Sequence, residues 1–519
     1  MLNVYIQTIK NLKIKQILYR LYYSLNRPDK KKLITFSNQL SHPLNLQSSL
    51  NSYVSYFGNN TFSFLNKPYT FTNSIDWNYA KYGALWTYNL NYFEFLHQPD
   101  FCEKEGLRLI NDYIFHYQNI KIGYDSYPVS LRNVFWIRFL SKYFIKDEKI
   151  DSFLYAQYSI LQRYLEYHLL GNHLLENAFS LLFGAYYFKD KKIYKKAYKL
   201  LKKELNEQIL RDGGHFELSP MYHQILLYRL LDCINVLSNN QWIEDNLFRF
   251  ISEKASLMLS WLSNITLSSG TIPHFNDSTN EIAPSTKELF DYAEKLNVKF
   301  NIVPLSDSQY RIFRTPNIKC IMDIGGIMPK YQPGHAHADT FNFILEVGKQ
   351  SVIVDTGCST YEQGVIRNTE RGTFAHNTVV INGKNSSQVW ASHRVGKRAN
   401  VRILKDTDNG IIAQHDGYKE MGVIHQRSFS QEENRIKIID ETLGNPDIQS
   451  VACFHLDKEI NNIRLDGNSV ILPDCCFFFN NPDEITIEKF TQAIAFNQRV
   501  ESNCISVKFK EKLTTTIGF

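Results

Sequence analysis

An α+β multidomain chain is predicted here, an all-helical first half followed by a C-terminal antiparallel β-sandwich. From about Glu103 to Leu296, apolar residues recur at i, i+3 and i+4, the stripe of helices packed on a core. Past about Ser308 the period falls to two, beginning with Tyr310-Arg311-Ile312-Phe313. Turn sequences such as Asn382-Gly383, Asp408-Asn409-Gly410 and Asp466-Gly467-Asn468 then separate many short strands. At 519 residues the chain exceeds a single compact core. The change of period divides it into residues 1–74, 75–302 and 303–519, with the main boundary at about 300–308.

Composition narrows the function classes. A net charge of +6 is far too weak for nucleic-acid binding and suits a modestly anionic ligand such as a uronic-acid polymer. Aromatic residues are abundant, with 31 Tyr and 35 Phe; most must be core, and some can stack on sugar rings. The eight Cys lack Cys-x-x-Cys spacing, which argues against a cysteine zinc site and a disulfide framework and leaves buried thiols.

In chain order, Met1 to about Arg27 reads as a basic amphipathic helix that docks on its own domain, a membrane surface being the alternative. It has no continuous apolar core and no cleavage site of a classical signal peptide, and no stretch is long enough to span a bilayer. The default compartment is therefore cytoplasmic, with periplasmic or membrane-peripheral placement open. Residues 29–72 read as loops with a few strands. Leu85-Trp86-Thr87-Tyr88-Asn89-Leu90 opens the helical part as core. Helices are expected at about 104–118, 130–145, 150–169, 174–188, 192–209, 219–238, 242–265 and 286–296. Their short links fit a bundle, an incomplete toroid or a solenoid, and no clean repeat singles out the last.

Three places in the helical half carry chemistry. Arg132 lies one turn inside a helix that Ser130 could cap; it can fork onto a carboxylate or sulfate, or bridge within the fold. Asn172-His173 stands at a helix start, with Asn177 as an alternative amide; a plain cap and a surface His would look the same. Glu217-Leu218-Ser219-Pro220-Met221-Tyr222 starts another helix with Pro at its first position and sets Tyr222 in the first turn.

The β half holds the densest cluster. His335 and His337, two apart in Gly334-His335-Ala336-His337-Ala338-Asp339, share a face if extended. Asp355 follows at hairpin distance, and His376 precedes another strand. Imidazoles with one carboxylate form a common zinc shell, so His335, His337, Asp355 and His376 together point to a metal.

Gly-His-Ala-His-Ala-Asp, then Asp355-Thr356-Gly357, then Arg371-Gly372-Thr373-Phe374-Ala375-His376-Asn377-Thr378 resembles the heparinase II/III-like domain of polysaccharide lyases. The Leu-Trp-x-Tyr-Asn-Leu run, Asn172-His173 and Glu-x-Ser-Pro-x-Tyr resemble elements of the family's helical domain, as does 271–278, where Asn276 replaces the family's Gly. The resemblance covers about residues 75–400 and implies an N-terminal (α/α) toroid, β-elimination beside a uronic acid, and a structural zinc near the active site on His337, Asp355 and His376, with His393 as reserve ligand. It implies that Asn172 and His173 quench the substrate carboxylate, with Tyr222 as acid and base and His335 as opposing proton carrier. Arg132, Asn177, Glu217 and Arg371 are the candidate substrate-binding residues, and an anionic polysaccharide is the partner. His415 and His455 are given no ligand role. Three rival readings are a toroid-type glycoside hydrolase using Glu176 and Glu217, a polymer-binding factor in exopolysaccharide synthesis, and, last, a zinc-dependent hydrolase of another bond.

Overall fold

The computed structural model describes residues 2–519 except 27, 28, 38 and 48, with Leu2 as backbone alone. Met1 and Arg27, the ends of the expected N-terminal helix, lie outside the described residues. Between them are two helices, α1 (Leu2–Ile9) and α2 (Ile14–Leu25), parted at Lys10–Lys13. The described residues of 29–72 pack on the helical half, contributing Ile34, Leu44, Phe62 and Phe71 to its core, and form a hairpin, Thr61–Phe64 with Lys67–Thr70.

Nine further helices follow: α3 (Ala84–Tyr92), α4 (Glu103–Phe115), α5 (Ser126–Lys142), α6 (Glu148–Arg163), α7 (Gly171–Phe188), α8 (Lys191–Gln208), α9 (Pro220–Asn239), α10 (Leu247–Ile265) and α11 (Thr286–Lys295). The odd-numbered members pack in sequence, α3 on α5, α5 on α7, α7 on α9 and α9 on α11. Burial explains the alternation. Fifteen of seventeen residues of α5 and seventeen of eighteen of α7 are buried, against eight of eighteen in α8. Helices apolar on every side form an inner layer, and those with one apolar stripe cover it. Asp147, Asp190, Ser219 and Ser285 cap α6, α8, α9 and α11 by accepting from backbone N–H groups of the first turn.

One helix is shorter than its periodicity. The stretch expected at 150–169 ends at Arg163, where Tyr164 leaves the helical conformation (φ −119°, ψ 37°), and positive φ at Leu170 and Gly171 leads into α7. The 164–170 segment is thereby a loop, held by Glu166 N donating to Asn177 Oδ1 (2.9 Å), and it presents Glu166 to the space above α7.

The second half forms three larger antiparallel sheets. The first runs Tyr310–Thr315, Ile318–Asp323, Phe343–Val347, Gln350–Ile353. An eight-stranded sheet runs Val401–Thr407, Gly410–His415, Ile424–Glu432, Arg435–Leu443, Lys512–Gly518, Cys476–Asn480, Ser469–Ile471, Arg464–Asp466. A third runs Glu484–Ala495, Gln498–Phe509, Ser450–His455, Val379–Ile381. Phe343, Phe429, Phe454 and Ile505 bring all three into one apolar core. The first sheet joins the halves: Ile321, paired with Ile344, enters the helical core, while Cys320, Met322, Phe343 and Leu345 enter the sheet core. A short helix, α12 (Val365–Glu370), lies in the loops above it.

All eight cysteines are free thiols, six of them buried. Among the described residues, no helix is long and apolar enough to cross a membrane.

Candidate active site

A cavity of about 1370 Å³ opens where the two halves meet. Its wall takes Asn172 and His173 from α7, Tyr222 and Arg229 from α9, and His335, Tyr361 and His393 from loops of the β half. Tyr88, Tyr92 and Tyr127 add aromatic faces, and Tyr23 and Lys30 stand at the N-terminal side.

His335 is the centre of the cluster. Its Nδ1 faces Asp277 Oδ2 at 2.9 Å, and a carboxylate only accepts, so the proton sits on Nδ1 and Nε2 keeps a lone pair. Nε2 points to Asn172 Nδ2 (3.4 Å) and lies 3.8 Å from Glu217 Oε2. The Tyr222 ring stacks on the imidazole, centroids 3.8 Å apart and planes at 28°. Ser219 caps α9 by accepting from Tyr222 N, which fixes that side chain in the first turn. The Tyr222 hydroxyl accepts from Tyr361 (3.3 Å). Burial pushes the Tyr222 pKa well above the usual value, with the Tyr361 hydrogen bond opposing it, so the resting side chain is a neutral acid.

His173 donates from Nδ1 to Glu166 Oε1 (3.1 Å) and lies 4.8 Å from the Tyr127 ring. Burial alone would lower its pKa; the Glu166 carboxylate overrides that, with Glu217 and Glu176 adding to it, and raises it. Asn172, His173, Tyr222 and His335 are thus brought to one wall.

The four residues expected to bind substrate do not line the cavity. Arg132 is fully buried, donating to Gln157 Oε1 and to the carbonyls of Gly123 (2.9 Å) and Asn91 (3.2 Å). It ties α5 to its neighbours, the intramolecular alternative weighed for it. Arg371 is also buried and clamps loop carbonyls, Ala336 O at 2.9 Å and Ala391 O at 3.1 Å. Asn177 stands behind the wall, donating to Glu166 Oε2 (2.9 Å), so it orients the carboxylate that orients His173. Glu217 accepts from the Asn172 backbone N–H (3.2 Å) and does not line the cavity. Guanidinium groups satisfied by backbone carbonyls look identical in sequence to ligand-binding ones.

The expected metal residues share a second, fully buried cluster next to the first. His337 donates from Nε2 to Asp277 Oδ1 (2.8 Å), and His376 donates from Nδ1 to Asp355 Oδ2 (2.8 Å). The remaining ring nitrogens, His337 Nδ1 and His376 Nε2, are buried lone pairs without a partner, as is Asp339 Oδ2, and the two rings lie 5.3 Å apart. Among the described residues, a tighter convergence of donors, all within 4.8 Å, is that of Asp277, His335 and His393.

Residues 298–518 match the family described as heparinase II/III-like, C-terminal, and residues 126–298 match heparinase II/III N-terminus. The chain belongs to the heparinase II/III-like family. A heparin-sulfate lyase of Bacteroides stercoris is 26% identical over 341 residues, 58% of this chain and 48% of that protein, so the chain spans about half the length of this curated relative. The fold is similar to a crystal structure of heparinase III (TM-score 0.72, 18% identity, covering 94% of this chain and 88% of that one). It is also similar to a heparan sulfate lyase from Pedobacter heparinus (TM-score 0.57, 18% identity, 89% and 81%).

In this heparinase II/III-like chain, Asp277 holds more of the site than its loop suggested. It accepts from His335, His337 and both terminal nitrogens of Arg367, on α12 (Nη2 at 2.7 Å). Burial would raise its pKa; Arg367 and the two imidazoles override that and hold it well below the usual carboxylate range. The neighbouring Asn276 has φ 56°, a left-handed conformation that Gly or Asn adopts readily. Its amide spans Leu218 O (3.0 Å) and His337 N (3.0 Å), so Asn does here what Gly could do for the backbone and pins two loops besides. Arg367, Tyr361 and Glu166 carried no local motif, and only the tertiary contacts reveal them.

Proposed function

We propose that this protein is a polysaccharide lyase that splits a glycosidic bond next to a uronic acid by β-elimination, with a sulfated glycosaminoglycan as substrate class. The observation that carries this reading is the Tyr222–His335 stack beside Asn172, a proton donor and a proton acceptor on one wall of a large cavity. Elimination needs the uronate charge quenched so that C5–H becomes acidic, a base for that proton, and an acid for the departing O4. The Asn172 amide and the His173 imidazole, held by Glu166, quench the carboxylate. His335 Nε2 takes the C5 proton, the C4–C5 double bond forms as C4–O4 breaks, and the Tyr222 hydroxyl protonates O4. The printed names of the relatives, heparin-sulfate lyase and heparan sulfate lyase, support the substrate class. The paired-carboxylate hydrolase reading is less well supported, because neither Glu176 nor Glu217 lines the cavity and Glu176 faces Arg229 at 3.4 Å.

The alternation of fully buried and one-sided helices supports an (α/α) toroid, and three sheets on one core support a β-sandwich. The zinc reading rests on the donor set: His337 Nδ1, His376 Nε2 and Asp339 Oδ2 are buried without a partner, while Asp355 accepts from His376. His337, Asp355 and His376 would hold the ion, with Asp339 at hand. Bound there, zinc supplies a fixed positive charge that braces the loop carrying His335. Purified protein should then carry about one equivalent of zinc by elemental analysis, and Asp355→Ala should lose both metal and thermal stability. Metal-free protein with an unchanged melting temperature would refute this.

The lyase reading is tested by incubating the protein with heparin, heparan sulfate, chondroitin sulfate and alginate and following ultraviolet absorbance of the unsaturated product. Absorbance should rise with at least one sulfated polymer. Saturated products would establish a hydrolase, and bound but intact polymer would establish a binding factor.

A further inference from the structure

Helix α2 is inside out. Its polar face lies on the protein: Gln16 Nε2 donates to Leu169 O (3.0 Å) and Tyr331 O (3.2 Å), Tyr23 donates to Leu165 O (2.7 Å), and Lys15 lies over the Tyr167 ring at 3.6 Å. Its apolar face looks outward, with Ile14, Leu18, Leu21 and Leu25 exposed by 76, 59, 58 and 84%. The steps of four, three and four residues make one continuous stripe. Ile6 and Ile9 of α1, each 53% exposed, add to the apolar surface of this N-terminal pair. A helix covering its own domain carries the opposite arrangement, so this surface is built for contact with something else.

Charge identifies the partner. Residues 1–75 hold nine Lys and Arg against a single acid, Asp29, a balance of +8. The rest of the chain has 49 against 51, a balance of −2, so the basic character of the whole protein resides in this segment. Lys10, Arg20 and Lys32 are exposed around the stripe. At twelve residues α2 is ~18 Å long, too short to span a bilayer and suited to lying in its interface.

We propose that α1 and α2 seat this protein on an anionic lipid surface, the leucine stripe entering the acyl boundary and the basic residues meeting the headgroups. The C-terminal end of α2 leads directly to the cavity, where Tyr23, Asn26 and Lys30 form part of the lining. Docking in this way holds the cavity's mouth beside the membrane. The inference stands on the N-terminal segment alone and is independent of the chemistry proposed for the cavity.

The test is co-sedimentation of the full chain with vesicles of phosphatidylcholine alone and of phosphatidylcholine mixed with an equal part of phosphatidylglycerol. Binding is expected only to the anionic vesicles. It should weaken at least ~10-fold at high salt and in the K10E/K32E variant. The L18E/L21E variant, remote from the cavity wall, should abolish binding and leave thermal unfolding unchanged. No vesicle binding, equal binding to both vesicles, or binding that survives L18E/L21E would each overturn the proposal. A dimer in solution that L18E/L21E splits, with no vesicle binding, would assign the stripe to a second copy of the chain.

Discussion

Replacing Tyr222 by Phe is expected to cut turnover of a glycosaminoglycan by at least ~10²-fold, the lower end of what one positioned acid–base group supplies. Folding should be unaffected, because the substitution removes one oxygen whose hydrogen-bond partner is the Tyr361 hydroxyl at 3.3 Å. The ring, which stacks on His335 and is held by the Ser219 cap, stays. Polymer binding, measured by calorimetry, should also change little, so the loss falls on kcat. Tyr361→Phe separates the roles: it removes the donor to Tyr222 and should lower turnover less. Full activity in Tyr222→Phe would end the mechanism proposed here.

Asp277→Asn should be the most destabilising single change in the site. It leaves the fully buried Arg367 guanidinium without its counter-charge, a defect worth about 3–5 kcal/mol. His335 and His337 lose their shared acceptor in the same step, so activity should fall with stability. Asp277→Asn combined with Arg367→Met tests the cause. If the penalty is the stranded cation, urea unfolding of the double variant should recover much of the loss while activity stays low. Equal destabilisation in the single and double variants would refute that account. The pH dependence follows from the same group. Its carboxyl lies well below the unfolded value of ~3.8, so its contribution to stability is complete above pH ~4. That contribution is lost only as pH falls through the lower folded value.

How far the sequence could be read depended on the kind of contact that fixed each feature. Hydrophobic period and cap chemistry are local, and they located α8, α9 and α11 to within about two residues. Tyr222 was legible because Ser219-Pro220 fixes a helix start, and His335 and His337 because two His in five residues are rarely structural filler. Arg132 and Arg371 lie buried against backbone carbonyls rather than in the cavity wall. A guanidinium that binds a ligand and one that gathers backbone carbonyls differ only in tertiary surroundings. The centre of the polar network, Asp277, comes from a loop 58 residues before the histidine it holds. The end of α6 at Arg163 is set by the backbone turn at Tyr164, which hydrophobic spacing does not report.

The cavity wall is shared by α7, α9 and loops that extend to Phe496, and this has a consequence for the order in which the molecule comes into being. During synthesis His173 leaves the ribosome about 320 residues before Phe496, an interval of roughly 16–65 s at ordinary elongation rates. Through that interval the helical half can gather its core while the cleft still lacks His335, Tyr361 and the floor around Phe496. Asn66 Nδ2 donates to Phe496 O (3.1 Å) and Asn497 Nδ2 to Leu65 O (2.8 Å), so the early hairpin is latched by a segment made some 430 residues later. A nascent chain that has not yet reached Phe496 therefore has no complete cleft.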